Sequence, residues 1–453
     1  LEWQKKCVVE NFTDIVNIIR KHRKDLLITG EFGGNSYTPY ELIQLCDVLS
    51  PNITDRVGEY QPPRWTPTIQ TRYALNASNN IPPWMIVAPA PSLTWRHTIL
   101  PPNELRSWLS QIIANKGNIW HALTGIPDTQ KDERILELIG EISQKFDILR
   151  PYLENTELKA NVAVLESRKN ILMNQLPNGK NDYLDELYGF YDALTSGHIP
   201  FIPILEENLN IETLNNYKLL ILPDSAYLTK GQVKVIKEFF NNGGKILASY
   251  RTSLYDENGR ELGDFALGEE FGVRFLKNEI KDTLASYMRI EEKHPIFGDI
   301  GNTEILPNGE SFLQVLPTKS KALLTYVPPF SSPEGVGAPP ERASFRTLKT
   351  DIPLLILNTN AKAIYFPIKI GALIWKLKMP EHRSLLINTV KWLLGDYLEL
   401  YINAPSHIYV SLLKGEDFLL VNLANTIGER PLAEIIPVYN IDVKIKCKDR
   451  VKE

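Results

Sequence analysis

Two glutamates follow short apolar segments of this sequence, at positions where a carboxyl group could act as an acid or a base. Glu31 comes directly after the apolar run 26–29 on a turn flanked by glycines, and Glu59 lies in the run Gly58-Glu59-Tyr60-Gln61. Two carboxyl groups that share one cleft can donate a proton and accept one. Each glutamate could equally be a solvated loop acid, and the sequence leaves both interpretations open.

Aromatic rings and hydrogen-bond donors also lie near the ends of short apolar segments. Such side chains can hold polar, ring-shaped ligands. The candidates for binding are Asn35, Trp65, Trp95, Arg96, His97, Trp120 and His121. Trp95 could instead pack on the rim of the fold while Arg96 neutralises a nearby acid. Trp120 and His121 are neighbours in one predicted strand, where side chains alternate between faces, so we expect one of the two in the core.

The segments that would position these residues alternate between helix and strand. A periodic helix ends in the basic run 21–24, and further helices are predicted from Thr38-Pro39 onward, near 68–77, at 103–115 and at 133–153. Strands are predicted at 26–29, 47–50, 84–88 and 118–123, the second of them breaking at Pro51. Uniformly apolar strands that alternate with helices indicate a parallel sheet covered on its outer face.

This pattern predicts an α/β fold that begins with the C-terminal half of a (β/α)8 TIM barrel, its strands five to eight. Half a barrel leaves two unpaired edges and an inner face that normally packs against the other half. We therefore expect the sequence to be N-terminally truncated. The absence of an initiator Met agrees with truncation, although processing would remove that residue too, and a natural half-barrel is the alternative.

Composition narrows the class of protein. The chain has 453 residues, 43% hydrophobic and 23% charged, with a net charge of −4, which suits two to four globular domains. Lys and Arg are scattered, which argues against a nucleic-acid partner, and there is no run of 18 apolar residues for a membrane. Three Cys fit a reducing cytoplasm, and widely spread His residues suggest no metal site. No cofactor is indicated.

A second alternation of strands and helices begins after Thr156, with strands predicted at 160–165, 201–205, 219–222 and 245–250 and helices at 183–196 and 231–240. This pattern predicts a flavodoxin-like, open α/β domain. A Pro-rich excursion near 327–340 interrupts it, and it resumes with strand 362–366 and helix 381–394. Short β-like segments at 407–412 and 418–422 follow. The predicted domains are 1–155, 156–396 and 397–453, the last a small β domain that is incomplete or short.

Several runs in the second segment resemble the β-galactosidase trimerisation domain of glycoside hydrolase family 42. They are DELYGFY at 185–191, HIPF at 198–201, LLILP at 219–223, TSLYDE at 252–257 and DFAL at 264–267. That domain is a degenerate, class I amidotransferase-like fold that follows a catalytic barrel. The barrel segment resembles the hypothetical glycosyl hydrolases that carry the same middle domain, among them the α-L-fucosidases of glycoside hydrolase family 151.

The resemblance implies hydrolysis of glycosidic bonds, in which one carboxyl group protonates the leaving oxygen and another acts as nucleophile or base. Family 42 enzymes carry the acid/base after strand four and a nucleophilic Glu after strand seven. Here the segment 88–96, which follows the seventh strand, contains no carboxylate. If the nucleophile follows strand four, as in α-fucosidase-like and α-amylase-like barrels, it would lie upstream of Leu1. Glu31 would then be the acid/base, and this fragment alone would be inactive.

We therefore expect a retaining glycoside hydrolase that acts on terminal α-L-fucosyl or β-D-galactosyl residues of a glycoside or oligosaccharide. Its middle domain would serve a homo-oligomer, with a trimer as one form. The alternative is a non-catalytic carbohydrate-binding or oligomerisation protein. An active amidotransferase would need a Cys after strand 245–250, but that strand runs into Arg251-Thr252-Ser253, and Ser253 lacks the Gly-x-Ser-x-Gly setting of a serine nucleophile.

Overall fold

The computed structural model of the chain describes residues 2–32, 38–54, 61–92, 94–123, 131–174, 181–281, 283–298, 300, 302–329, 347–360 and 362–447. The chain divides into two compact units. The first comprises Leu1–Ala160, His198–Glu207 and Tyr401–Lys444, and the second Asn161–Gly197, Asn208–Leu400 and Ile445–Glu453. The domain boundaries predicted from the sequence stay predictions.

The first unit begins with four strands that alternate with helices. The helices are α1 (Glu2–His22), α2 (Tyr40–Leu45), α3 (Thr66–Ala77), α4 (Pro102–Ala114) and α5 (Arg134–Leu153). The strands are β1 (Glu31–Phe32), β2 (Ser50–Ile53), β3 (Trp84–Val87) and β4 (Asn118–His121). Prolines stand in the first turns of α3 and α4, where the missing N–H is not needed. The strands pair in parallel in the order β1-β2-β3-β4, as the half-barrel prediction requires.

Helices cover one face of this sheet, which we call the outer face. Ile53, Met85 and Val87 are each no more than 1% exposed and form one apolar cluster with residues of α4 and α5. The α4 members of that cluster are Leu105, Trp108, Leu109, Ile112 and Ile113. Because side chains alternate along a strand, the residues between them point to the opposite, inner face.

The first predicted strand is displaced. Residues 26–29 form no ladder, and Leu27 is 70% exposed. Ile28 instead exchanges hydrogen bonds with Asp47, whose carboxylate accepts from the Ile28 N–H at 2.6 Å. The prediction of a break at Pro51 was also wrong, because β2 continues through Pro51, which pairs with Phe32.

The rest of the first unit comes from distant parts of the chain. Its strands are β5 (Glu157–Leu158), β7 (Phe201–Leu205), β17 (Leu400–Asn403), β18 (Ile408–Lys414), β19 (Leu419–Asn425) and β20 (Asp442–Ile445), with the first residue of β17 and the last of β20 beyond the unit's limits. Strands β19, β18 and β5 form an antiparallel sheet, and β17 pairs with β20. The β segments expected near the C-terminus are therefore present, as part of the first unit.

The second unit combines a parallel and an antiparallel part. Its helices are α6 (Arg168–Met173), α7 (Asp182–Ser196), α8 (Ile211–Leu214), α9 (Lys230–Asn241), α10 (Gly268–Phe271), α11 (Ile370–Leu377) and α12 (Pro380–Leu394). Its strands are β6 (Val162–Glu166), β8 (Leu219–Leu222), β9 (Lys245–Ser249), β10 (Val273–Ile280), β11 (Ser286–Ile290), β12 (Ile305–Asn308), β13 (Phe312–Pro317), β14 (Ser320–Val327), β15 (Pro353–Asn358) and β16 (Ala363–Phe366). Short 3-10 helices lie at Glu206–Asn208, Pro295–Phe297 and Gly395–Tyr397.

Strands β16, β9, β8 and β6 pair in parallel and give the predicted open α/β pattern. Strands β12, β11, β14 and β15 extend this sheet beyond β16 in antiparallel pairs, and β10 pairs with β13. Helix α9 begins with a capping box between Thr229 and Gln232, and Asn181 caps α7 by accepting from two main-chain N–H groups. No helix in the described part of the chain is long and apolar enough to cross a bilayer.

Helices α7 and α11 touch at their backbones. A Cβ atom built on Gly189 would lie 1.8 Å from the carbonyl oxygen of Gly371, and one on Gly371 would lie 2.1 Å from that of Glu186. Real carbon atoms never approach an oxygen so closely, so both positions need glycine. The Glu186 carboxyl fixes the same crossing, since it accepts hydrogen bonds from the Ser249 hydroxyl at 2.7 Å and from the Ala372 N–H at 2.8 Å.

We predict that Gly189→Ala destabilises the protein, because the added methyl group must push the two helices apart. Overpacking of a tight contact costs about 1 to 3 kcal/mol of unfolding free energy, which urea denaturation would measure. Gly140→Ala in α5 is the matched control. Its Cβ would meet nothing within 4 Å, so we expect no loss and a gain of up to about 1 kcal/mol from helix propensity. Equal urea midpoints for Gly189→Ala and the wild type would contradict the close contact.

A second prediction concerns pH. Burial raises the pKa of Glu186 from its ordinary value of 4.5 to about 7, against the opposing effect of its hydrogen bonds. Folding then favours the protonated carboxyl, so its contribution to stability is complete below pH 4.5 and is lost as the pH rises to about 7. Glu186→Gln cannot ionise. We expect the unfolding free energy of the wild type to fall relative to that of Glu186→Gln between pH 4.5 and 7. If the unfolding free energies of the two proteins change in parallel with pH, Glu186 does not titrate in this way.

Candidate active site

The register of the half-barrel strands assigns side chains to its two faces. Asn52 pairs with Ile86, which pairs with Trp120, and Ile53, Val87 and His121 form the next row. Paired residues of parallel strands point to the same side of a sheet. Since Ile53 and Val87 pack on the helices, the row of Asn52 and Trp120 lies on the inner face.

Glu31 lies on this inner face beside Asn52. The Asn52 Nδ2 donates a hydrogen bond to Glu31 Oε1 at 2.8 Å across the pair β1–β2. Two residues earlier, the hydroxyls of Thr29 and Ser50 are hydrogen-bonded at 2.7 Å. The inner face of this strand pair is therefore polar, and the Glu31 side chain is exposed on it. Among the inner-face residues that the structure describes, Glu31 is the one carboxylic acid.

The neighbouring pair β3–β4 supplies aromatic surface to the same face. Trp120 is 43% exposed and Trp84 45%. An exposed indole on the same face as a carboxylic acid can pack against the apolar face of a sugar ring. His121 belongs to the opposite row and is partly buried, and burial lowers its pKa below the ordinary range. The alternation predicted for these two residues thus places Trp120 on the inner face and His121 on the helix side, so we no longer propose that His121 binds substrate.

The loop after β3 carries Trp95, Arg96 and His97, all exposed. Asp132 anchors the end of this loop. Its Oδ2 accepts from the Ile99 N–H and from the Thr98 hydroxyl, each at 3.0 Å, and Arg134 binds the same carboxylate. These hydrogen bonds hold the pKa of Asp132 well below its usual range, the one from Arg134 contributing most. The loop follows the carboxyl end of β3, where barrels carry their functional side chains.

Besides His121, three of the predicted site residues are not placed in this group. Trp65 is 4% exposed at the start of α3, which leaves no ring face for a ligand, so we do not retain it as a binding residue. Asn35 and Glu59 lie outside the described residues. Their proposed roles stay predictions.

Sequence reasoning missed Asn52 and Asp132. Asn52 lies in a strand that was expected to end at Pro51, so the correct strand limits would have placed it on the face of Glu31. Asp132 precedes a predicted helix and looks like an ordinary first-turn acid. Nothing in the sequence indicates that it binds a loop more than 30 residues earlier.

The second unit has its own strand-end position, after β9. Tyr250 has a φ of +48° there and donates its hydroxyl to Glu279, while Ser253 has a φ of +65°. Ser253 is fully buried, and its hydroxyl oxygen accepts from the Leu267 N–H at 3.1 Å. A buried hydroxyl that accepts a main-chain hydrogen bond is not placed to attack an amide.

The fold class is therefore a half-barrel followed by an open α/β domain and a small β domain. Comparisons with known proteins agree with it. Residues 160–281 match the family model described as the beta-galactosidase trimerisation domain, which confirms the resemblance drawn for the middle of the chain.

Three relatives illustrate the likeness. The chain is 21% identical over 262 residues to the beta-galactosidase BgaP of Planococcus sp. (strain L4), covering 53% of this chain and 38% of that protein. It superposes on the alpha-L-fucosidase isoenzyme 2 of Paenibacillus thiaminolyticus with a TM-score of 0.78 at 17% identity, covering 97% of this chain and 64% of that one. The beta-galactosidase of Bacillus circulans sp. alkalophilus gives 0.73 at 16%, covering 93% and 60%. The chain spans less than two thirds of each of these proteins.

We predict that Asp132→Asn loosens the loop that carries Trp95. The variant loses the charge that three donors share, and hydrogen bonds to a charged group contribute about 1.5 to 3 kcal/mol. Hydrogen exchange of the amides at 94–100 should become faster, while β3 and β4 stay protected. The stabilisation by Asp132 is present above the ordinary pKa of an aspartate and is lost as the pH falls, so the difference from the variant should shrink in acid.

Asp147→Asn is the control for this experiment. Asp147 forms an exposed ion pair with Arg150 within α5, and such pairs contribute about 1 kcal/mol or less. Equal exchange at 94–100 in wild type and Asp132→Asn would show that Asp132 does not hold the loop.

Proposed function

We propose that this chain supplies the C-terminal half of the catalytic barrel of a retaining glycoside hydrolase, with Glu31 as its general acid/base. The observation that carries the proposal is the placement of Glu31 on the inner face of the half-barrel. There it lies beside a hydrogen-bond donor, Asn52, and on the same face as the exposed indole of Trp120.

The chemistry follows from these side chains. A carboxylic acid at this position can protonate the oxygen of a leaving sugar and later deprotonate water. Trp120 offers a flat apolar surface to the sugar ring, and the exposed loop residues Trp95, Arg96 and His97 offer further donors and a second ring. Hydrolysis needs another carboxyl group. Glu59 and a residue outside this chain are the two candidates, and the resemblance to α-fucosidase-like barrels favours the second.

The names of the relatives suggest the substrates. Because the chain resembles an alpha-L-fucosidase and two beta-galactosidases, we propose terminal α-L-fucosyl or β-D-galactosyl residues as substrate.

The trimerisation domain model over 160–281 supports a homo-oligomer, with a trimer as the proposed form. A cytoplasmic location is proposed from the cysteine content, all three thiols being free. We propose that the amidotransferase-like second unit is catalytically silent, since Ser253 is buried.

The proposal predicts hydrolysis of a nitrophenyl α-L-fucoside or β-D-galactoside by this chain expressed together with any upstream sequence that its gene encodes. Glu31→Gln should lower kcat/KM, because the amide cannot donate a proton to the leaving oxygen. Loss of a general acid costs about 10²- to 10⁴-fold, with the smallest loss on nitrophenyl substrates, whose leaving group needs little protonation.

Glu137→Gln is the matched control, since Glu137 is an exposed acid on α5 away from the inner face; its activity should equal that of the wild type. If no glycoside in a broad panel is hydrolysed, the non-catalytic interpretation replaces this one. Binding of fucose or galactose that quenches tryptophan fluorescence would then indicate a carbohydrate-binding protein, and absence of binding would leave an assembly role.

A further inference from the structure

We propose that Asn52 is a positioning residue for Glu31, which it aims toward the carboxyl end of the barrel and whose proton it assigns to one oxygen. This inference rests on the proposed function, since it concerns the same carboxyl group. It is carried by the geometry of the pair β1–β2.

The side chains of this pair lean along the strands. The Cα partner of Glu31 in the parallel ladder is Ser50, yet the Glu31 carboxyl binds Asn52, two residues further toward the carboxyl end of β2. Thr29 shows the same offset, because its hydroxyl binds Ser50. The hydrogen bond from Asn52 therefore draws the carboxyl of Glu31 toward the end of the sheet where barrels bind their substrates.

The orientation of the Asn52 amide follows from its neighbours. An ionised carboxylate only accepts hydrogen bonds, so the atom that faces Glu31 must be the amide nitrogen. The other amide atom, Oδ1, is buried and has no hydrogen-bond partner among the described residues. Among the described residues, the hydrogen bond from Nδ2 to Glu31 Oε1 therefore sets the direction of the Asn52 amide.

This contact decides where the acid holds its proton. The Asn52 N–H is donated to Oε1, and a proton on that oxygen would turn it into a hydroxyl oxygen, which accepts this hydrogen bond less well than a carbonyl oxygen does. Protonated Glu31 therefore carries its proton on Oε2. In the first step that proton goes to the glycosidic oxygen as the C–O bond breaks and the other carboxylate that hydrolysis requires bonds to the anomeric carbon. The Glu31 carboxylate that remains keeps the hydrogen bond from Asn52. In the second step water attacks the anomeric carbon, the other carboxylate leaves, and Oε2 accepts a proton from that water.

The test measures activity on two glycosides of the same sugar that differ in their leaving group. Phenol needs protonation as it departs and 2,4-dinitrophenol does not, so a mispositioned acid slows only the first. We expect Asn52→Leu, which keeps the volume and removes the donor, to lower kcat/KM for the phenyl glycoside by about ten- to a hundredfold, the range of a hydrogen bond to a charged group. The dinitrophenyl glycoside should change by less than about threefold. Asn52→Gln, which keeps a donor, should restore part of the loss.

Thr29→Val is the matched control. It removes the other cross-strand hydrogen bond of the same strand pair without touching Glu31, so any loss of activity should be equal for both leaving groups. Should Asn52→Leu not fold, Asn52→Ser provides the same comparison with a smaller polar residue that is too short to reach Oε1. Thermal unfolding of each variant separates instability from mispositioning.

The outcomes separate this inference from the proposed function. If no glycoside is hydrolysed by the wild type, the proposed function fails. If Glu31→Gln loses activity in proportion to the need for protonation but Asn52→Leu does not, the positioning role is overturned while the acid role of Glu31 stands. A loss in Asn52→Leu that is equal for both glycosides would assign Asn52 a purely structural role. A loss confined to the phenyl glycoside supports the inference.

Discussion

The first unit depends on one buried cation, Arg72. Its side chain is 3% exposed on α3, and its guanidinium donates to Asn115 Oδ1 at 2.7 Å, to the Val410 carbonyl at 2.6 Å and to the Phe201 carbonyl at 3.3 Å. Burial lowers its pKa to about 10, so it stays charged at neutral pH. A buried charge that loses its partners costs several kcal/mol. These acceptors lie more than 40, 120 and 330 residues from Arg72 in the sequence, so the guanidinium holds the end of α4 and strands β7 and β18 against α3.

The half-barrel has a packed outer face and an inner face that can react. Helices α4 and α5 pack on the outer face, where Ile53, Met85 and Val87 are buried, so the apolar residues of the strands are covered on that side. The inner face can then carry polar residues. Glu31 and Asn52 form a hydrogen-bonded pair there, and Trp120 lies on the same face two strands beyond Asn52. Along each of these short strands, the residues that stabilise the fold thus alternate with the residues proposed to take part in the chemistry.

The sequence predicted the helices and strands whose limits depend on local periodicity. It did not predict features that depend on hydrogen bonds to residues distant in the chain. Helices α3, α4 and α12 and strands β3 and β8 lie within two residues of their predicted limits, because each has a clear apolar period bounded by Pro, Gly or Asn. The run 26–29 is as apolar as a buried strand, but its hydrogen bonds go to Asp47, which no local pattern reveals. None of the antiparallel strands from β10 to β15 was predicted. In the candidate site, Glu31 and Trp120 were identified by residue type, whereas Asn52 became visible only through the register of β1 against β2.

The second unit has a strand-end position whose backbone is strained and whose side chain is buried. Tyr250 follows the parallel strand β9 with a positive φ, the backbone form that a strand-to-helix turn uses to expose a nucleophile. Here the residue is an aromatic ring, buried, with its hydroxyl on Glu279 and its carbonyl accepting from the Tyr365 hydroxyl. Burial is the main cause that raises the pKa of the Tyr250 hydroxyl, which makes a phenolate inaccessible near neutral pH. Such a turn persists only where its surroundings compensate the strain, and here the hydrogen bonds to Glu279 and from Tyr365, together with burial of the ring, do so.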